Sequence, residues 1–213
     1  MKLLWIDTET TGLNKERCDI VQVAGIVIID GVEKERFNFR CQPINYENIE
    51  PVAFEHNNLS IDILKTYPMP QVLYANLTKL LNKYIDRYNP QDKFFIAGHN
   101  VQFDVDFLRN FFIKMGDNFF GSYFYYRTVD LMYFATLLHT AGLINLTSWK
   151  LGDIANYLGI VPDGNLHDAE ADIDLTRKCF CRLVAKYINF GYTLGTKESN
   201  IEINNKPDNT KNL

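Results

Sequence analysis

The sequence has no surplus of positive charge. Its 22 Lys and Arg are outnumbered by 26 Asp and Glu, giving a net charge of −4 and an isoelectric point near 5.6. A protein that coats nucleic acid by counterion release needs a broad Lys/Arg surface, so the composition argues against that class. It leaves open an enzyme that holds a nucleic-acid end through divalent cations, which bring positive charge locally. Cysteine is scarce as well. Cys18, Cys41, Cys179 and Cys181 are the only four, none at a zinc-ligand spacing, and the last two would point to nearly opposite sides of a helix. They are expected to be reduced thiols of a cytoplasmic protein. No apolar run is long enough to cross a membrane, and the opening run through Ile6 is too short for a signal peptide. There are no internal repeats.

What is present suits one globular domain with a sizeable core: 213 residues, 46% hydrophobic and 23% charged. The 15 Phe and 12 Tyr fall mostly at strand-like or helix-like spacing, as core residues do. Lys2 to Ile6 reads as a buried strand closed by Asp7. The Val- and Ile-rich run from Ile20 to Ile29 reads as a strand covered on both faces. Asp30-Gly31 is a hairpin signal. Phe37, Phe39 and Cys41 alternate with polar residues, marking a half-exposed third strand. Residues 43–70 read as loop with one or two short helices. An amphipathic helix is expected from Gln71 to Tyr88, burying Val72, Leu73, Leu77, Leu80, Leu81 and Ile85. A buried strand follows at Phe94–Gly98, then a helix from an Asn100 cap to Lys114. A fifth strand spans Tyr123–Val129 and a helix Leu131–His139. Ser148 is expected to cap a helix to Leu158, and a last helix runs from Asp168 to Tyr187. The order implies an α/β fold, a mixed sheet with helices on both faces. Residues 1–190 form the domain, and 191–213 a polar, Asn-rich tail expected to be disordered.

Three segments place carboxylates where a strand or helix meets a loop. In Asp7-Thr8-Glu9-Thr10, an extended chain end sends Asp7 and Glu9 to the same side. Paired carboxylates repel unless protons or cations sit between them, and such hard oxygen donors suit Mg²⁺ or Mn²⁺. A solvated strand end is the alternative. In His99-Asn100-Val101-Gln102-Phe103-Asp104, Asn100 has a sufficient role as a cap, His99 suits an interior position, and Asp104 favours a helix dipole or a site. In His167-Asp168-Ala169-Glu170-Ala171-Asp172, acidic residues open a helix, while His167 and Asp172 are spaced to converge.

Together, in this order, the segments resemble the DnaQ-like (DEDDh) 3′→5′ exonuclease superfamily, which includes the epsilon proofreading subunit of DNA polymerase III. Asp7, Glu9 and Thr10 match its Asp-x-Glu-Thr motif. His99, Asn100, Phe103 and Asp104 match His-Asn-x-x-Phe-Asp. His167, Ala169 and Asp172 match His-x-Ala-x-x-Asp. A sister class carries Tyr where this chain has Asp168, so the histidine type fits. The resemblance spans residues 2–187, and it departs from the pattern at Asn57-Asn58-Leu59-Ser60, where many relatives carry His-Gly-Ile.

The resemblance implies a ribonuclease H-like fold with a mixed five-stranded sheet. It implies two divalent cations, Mg²⁺ or Mn²⁺, held by Asp7, Glu9, Asp104 and Asp172, with His167 as general base. Thr10, Leu13, His99 and Phe103 would contact the substrate; for Phe103, ordinary helix packing carries equal weight. The expected substrate is a DNA 3′ end, single-stranded or frayed, and the product a nucleoside 5′-monophosphate. A proofreading or repair role with a DNA polymerase or replication partner follows by the same analogy. Two alternatives stay open: an RNA exonuclease of the oligoribonuclease or ribonuclease T type, and a non-catalytic module of a polymerase assembly.

Overall fold

A computed structural model describes residues 1–51, 53, 60–161 and 169–187. The chain opens with β1 (Lys2–Thr10), β2 (Ile20–Ile29) and β3 (Val32–Arg40), and continues through α1 (Ile61–Leu64), α2 (Pro70–Tyr84), β4 (Phe94–Gly98), α3 (Gln102–Lys114), β5 (Phe124–Asp130), α4 (Leu131–Thr140), α5 (Leu151–Tyr157) and α6 (Ala169–Tyr187). The five strands form one sheet in the order β3-β2-β1-β4-β5. The first three make an antiparallel meander, while β4 runs parallel to β1 and β5 parallel to β4. Asp30 and Gly31 both have positive φ, 50° and 79°, as a two-residue hairpin turn of the favoured twist requires.

The strand pleat divides β1 between two cores. Leu4 and Ile6 point to one face, where they pack with Leu73, Leu77, Leu80 and Leu81 of α2 and with Val105, Leu108 and Phe112 of α3. Leu3 and Trp5 point to the other, where they meet Ala24, Ile26 and Ile28 of β2 and Ala169 and Ile173 of α6. A third cluster joins α4, α5 and the far half of α6 through Leu138, Ile154, Cys179 and Leu183. Among the described residues no helix is long and apolar enough to cross a membrane.

The expected sheet stands, but several element ends differ. β1 does not close at Ile6; it pairs with β2 as far as Thr10, with an irregularity after Glu9. Asp7 and Glu9 therefore lie within the strand and not beyond it. α2 begins at Pro70, whose fixed φ suits a first helical position, and ends at Tyr84, four residues before the expected stop. Ile85 is buried although extended, whereas Val72 is 46% exposed, turned off the buried stripe. Ser148 does not cap α5; its hydroxyl accepts from the Lys150 N–H, and the helix starts at Leu151 after Lys150. The tail beyond Tyr187 lies outside the described residues.

Asn100 is not the cap of α3. It sits in a turn at φ 53°, and α3 starts at Gln102. The exposed N–H groups are met from another strand. The Asp130 carboxylate accepts from Asn100 N–H at 3.1 Å and Val101 N–H at 2.9 Å, and it caps α4 by accepting from Met132 N–H at 2.8 Å. One buried carboxylate thus serves two helix starts. Asp130→Ala should cost about 2–4 kcal/mol, since buried charge-assisted bonds and a cap are lost together. Urea denaturation should show it; a loss under about 0.5 kcal/mol, as at an ordinary surface site, would mean the N–H groups find other partners.

Candidate active site

The pleat that divides the cores also sorts the acidic residues. Asp7 and Glu9 share the parity of Leu3 and Trp5, so they project from the face on which α6 packs. Three ties fix how far along that face α6 sits. Asn38 of β3 donates to Glu170 at 3.3 Å, Arg36 to Asp174 at 2.8 Å, and Arg177 to Glu33 at 2.6 Å. Across the sheet, Asn38 is in register with Ala24 and Ala24 with Asp7, while Arg36 is in register with Ile26 and Ile26 with Trp5. The first turn of α6, which contains half-buried Asp172, is therefore level with Asp7, and later turns are level with Trp5 and Leu3.

Asp104 stands at the other face. It is 3% exposed, and its Oδ1 accepts from the Thr8 N–H at 2.9 Å and the Thr8 hydroxyl at 2.7 Å. Thr8 lies between Asp7 and Glu9 in sequence, so this bond ties the start of α3 to the acidic strand. Burial pushes the Asp104 carboxyl up to about 7; the Thr8 donors oppose that rise, and the nearby Asp130 charge adds to it. Among the described residues no three His, Cys, Asp or Glu side chains form a group that could hold an ion. Asp7, Glu9, Asp104 and Asp172 are all carboxylates, and carboxylate oxygens are the donors that hard divalent cations take. His167 and Asp168 lie outside the described residues.

Between the β1–β2 loop and α3 is an open cavity of about 510 Å³. Leu13, Asn14, Lys15 and Glu16 of the β1–β2 loop form one wall; Phe103, Asp106 and Phe107 of α3 form the other; Glu50 also lines it. The rings of Phe103 and Phe107 are 4.7 Å apart, so that wall is a double aromatic step. Lys15 bridges the walls by an ion pair with Asp106 at 2.6 Å. Leu13 is 73% exposed. The Thr10 hydroxyl donates to the Gly12 carbonyl at 2.7 Å, so its proton is committed to the turn that leads to Leu13.

The family sequence model described as an exonuclease, RNase_T, matches residues 4–180. The chain belongs to the exonuclease family. It is a nuclease of the DnaQ-like, DEDDh superfamily, and its sheet is the ribonuclease H-like one. Among solved structures, E. coli exonuclease I in complex with a dT13 oligonucleotide matches with a TM-score of 0.70 at 22% identity, over 87% of this chain and 41% of that one. A product-bound exonuclease I matches with a TM-score of 0.70 at 20% identity, over 86% and 43%. The cell-death related nuclease 4 (CRN-4) matches with a TM-score of 0.67 at 17% identity, over 86% and 64%. The chain thus spans about two fifths of the exonuclease I chains it resembles. Nucleases of this family generally use divalent metal ions.

Several residues that line the cavity carried little or no signal in the sequence. Lys15, Asp106 and Phe107 reach it because the β1–β2 loop folds against α3, and Glu50 because the segment after β3 folds back on that loop. Asp106 had a weak cue, its position on the helix that carries Phe103. His99 closes β4 and is mostly enclosed. Its Nδ1 is buried with no hydrogen-bond partner, and the Trp149 backbone lies close to the ring. Burial lowers the His99 pKa, against the opposing pull of the Asp130 charge and the Trp149 backbone. The unfolded chain therefore binds a proton here more readily than the folded one. This residue's contribution is complete above the unperturbed value of about 6.5 and is lost as pH falls from there through the lowered folded value. The wild type should accordingly lose more stability between pH of about 7.5 and about 5 than His99→Gln, which keeps a polar side chain that does not titrate. Denaturant titrations at both pH values test this; parallel losses would place the acid sensitivity elsewhere.

Proposed function

We propose that this nuclease is a 3′→5′ exonuclease that removes nucleoside 5′-monophosphates from single-stranded or frayed DNA 3′ ends, using Mg²⁺ or Mn²⁺. The observation that carries the reading is the alignment of the first turn of α6 with Asp7, on the face from which Asp7 and Glu9 project. Asp7, Glu9 and Asp172 are the residues that would hold two cations, with Asp104 helping to hold the site through its bonds to Thr8. When bound, such ions supply charge neutralisation at the scissile phosphate and acidify a coordinated water. The residues of the chain do the rest. His167 accepts the proton of the attacking water, for which an imidazole of unperturbed pKa about 6.5 is suited at neutral pH. Leu13 and Phe103 take the terminal base between them in the cavity, and stacking on Phe103 tolerates any base, since every base has a π face. The Thr10 backbone is left for the terminal sugar.

The choice of DNA follows the dT13 oligonucleotide named with the exonuclease I structure. Hydrolysis of 3′-labelled single strands should require Mg²⁺ or Mn²⁺, stop with EDTA, and run faster on DNA than on matched RNA. Faster RNA cleavage would instead make the protein a ribonuclease of the same fold.

Two substitutions probe the chemistry. Asp7→Ala should lower the rate at least about a hundredfold, since several kcal/mol of metal-mediated stabilisation is lost. The metal-free melting temperature should not fall, because removing one of several clustered carboxylates relieves repulsion; a sharp fall would make Asp7 a structural residue. His167→Ala should reduce the rate by roughly 10²–10⁴ and remove its rise with pH through the histidine range. A variant that keeps the wild-type pH profile would exclude His167 as the base.

A further inference from the structure

We propose that Glu50 is a positioning residue that sets the grip on the substrate's terminal base, an assignment that rests on the exonuclease reading above. Glu50 belongs to none of the three acidic segments. It lies between β3 and α1, and its carboxylate reaches back to the β1–β2 loop. Oε2 accepts from the Leu13 N–H at 2.9 Å, and Oε1 receives the Cys18 thiol at 3.4 Å. The Glu50 backbone N–H donates to the Thr11 carbonyl at 2.8 Å. One residue thus ties the loop at its start, its middle and its end.

The close approach depends on Gly12. A Cβ there would overlap the Glu50 carboxyl group and the Cys18 sulfur, so a larger residue would push the carboxylate from its place. On its opposite side the loop is tied to α3: Lys15 pairs with Asp106, the Lys15 carbonyl accepts from Asn110, and Lys114 donates to the Cys18 carbonyl at 2.9 Å. The Leu13 side chain, at 73% exposure, has little packing of its own to hold it. Its place is decided by its backbone, and the Leu13 backbone N–H is held by Glu50. The facing wall, Phe103 and Phe107, is on a helix whose inner side is packed in the main core. The ties to α3 fix the loop at Lys15 and Cys18, and the place of Leu13 within it is set by the Glu50 carboxylate. Glu50 is not a catalytic residue: its bonds are to the loop, and it acts through Leu13.

The test uses the full chain with Mg²⁺ and two single-stranded substrates, one with an ordinary 3′-terminal nucleotide and one whose terminal nucleotide is abasic. Glu50→Ala should raise KM for the ordinary strand about fivefold to tenfold, the equivalent of one lost hydrogen bond, with kcat within about twofold, the mark of lost uniform binding. On the abasic strand its KM should match the wild type. Glu50→Gln keeps a carbonyl oxygen for the Leu13 N–H and should restore the wild-type KM. Amide hydrogen exchange at Leu13 should quicken in Glu50→Ala and not in Glu50→Gln. A wild-type KM for Glu50→Ala, or an equal rise on both strands, overturns the proposal while leaving the exonuclease reading intact. A wild-type chain that hydrolyses neither strand overturns that reading, and this proposal with it.

Discussion

The pleat of β1 is the constraint on which the arrangement around it rests: it sends Asp7 and Glu9 to the face that receives α6, and Thr8, the partner of Asp104, to the other. Asp7 and Glu9 project from the same face two residues apart. Asp104 is fastened to the backbone and hydroxyl of the residue between them. The first turn of α6 brings Asp172 to the same level through ties to β3. Each carboxylate is delivered by a different kind of constraint: pleat, side-chain bond and helix seating. The strand that carries two of them is the central one of the sheet, flanked by paired strands and packed on both faces.

The two faces of β1 serve different ends. One face receives α2 and α3 and builds the largest apolar cluster, which includes Val101 and Val105 beside Asp104. The other receives α6 and leaves Asp7 and Glu9 half-buried at its open end. Because β4 and β1 are parallel, the carboxyl ends of both strands meet at this place, where ligand sites of open α/β sheets are commonly found. The β1–β2 loop and α3 then add the cavity between them. Asp130, at the end of β5, supports the arrangement at one remove by meeting the N–H groups that precede α3 and capping α4. The turn that leads into the Phe103 and Asp104 helix is thus held from a neighbouring strand.

Much of this was legible in the chain. The β2 run from Ile20 to Ile29 is apolar at nearly every position because both of its faces are covered, and its ends agree with the structure. Phe94–Gly98 is a second such case. Where the reading slipped, the deciding contact lay far away in sequence. Asn100 has the chemistry of a helix cap, but a distant carboxylate supplies the acceptors and the helix starts two residues later. Val72 matches the apolar stripe of α2 in type but not in phase. β1 runs beyond its apolar stretch because pairing with β2, and not hydrophobicity, sets its length.

The sequence by itself determined the sheet's composition, the two-sided burial of its central strands and the family, because hydrophobic period and short acidic motifs are local properties. It also named Leu13 and Phe103, which the fold brings to one cavity. Only the tertiary structure decided which carboxylates share a face and a level, since that depends on strand register and on where α6 docks. It alone revealed Glu50 behind Leu13 and Asp130 ahead of α3. Both act through hydrogen bonds between segments distant in the chain, and no local pattern of residues encodes such a bond.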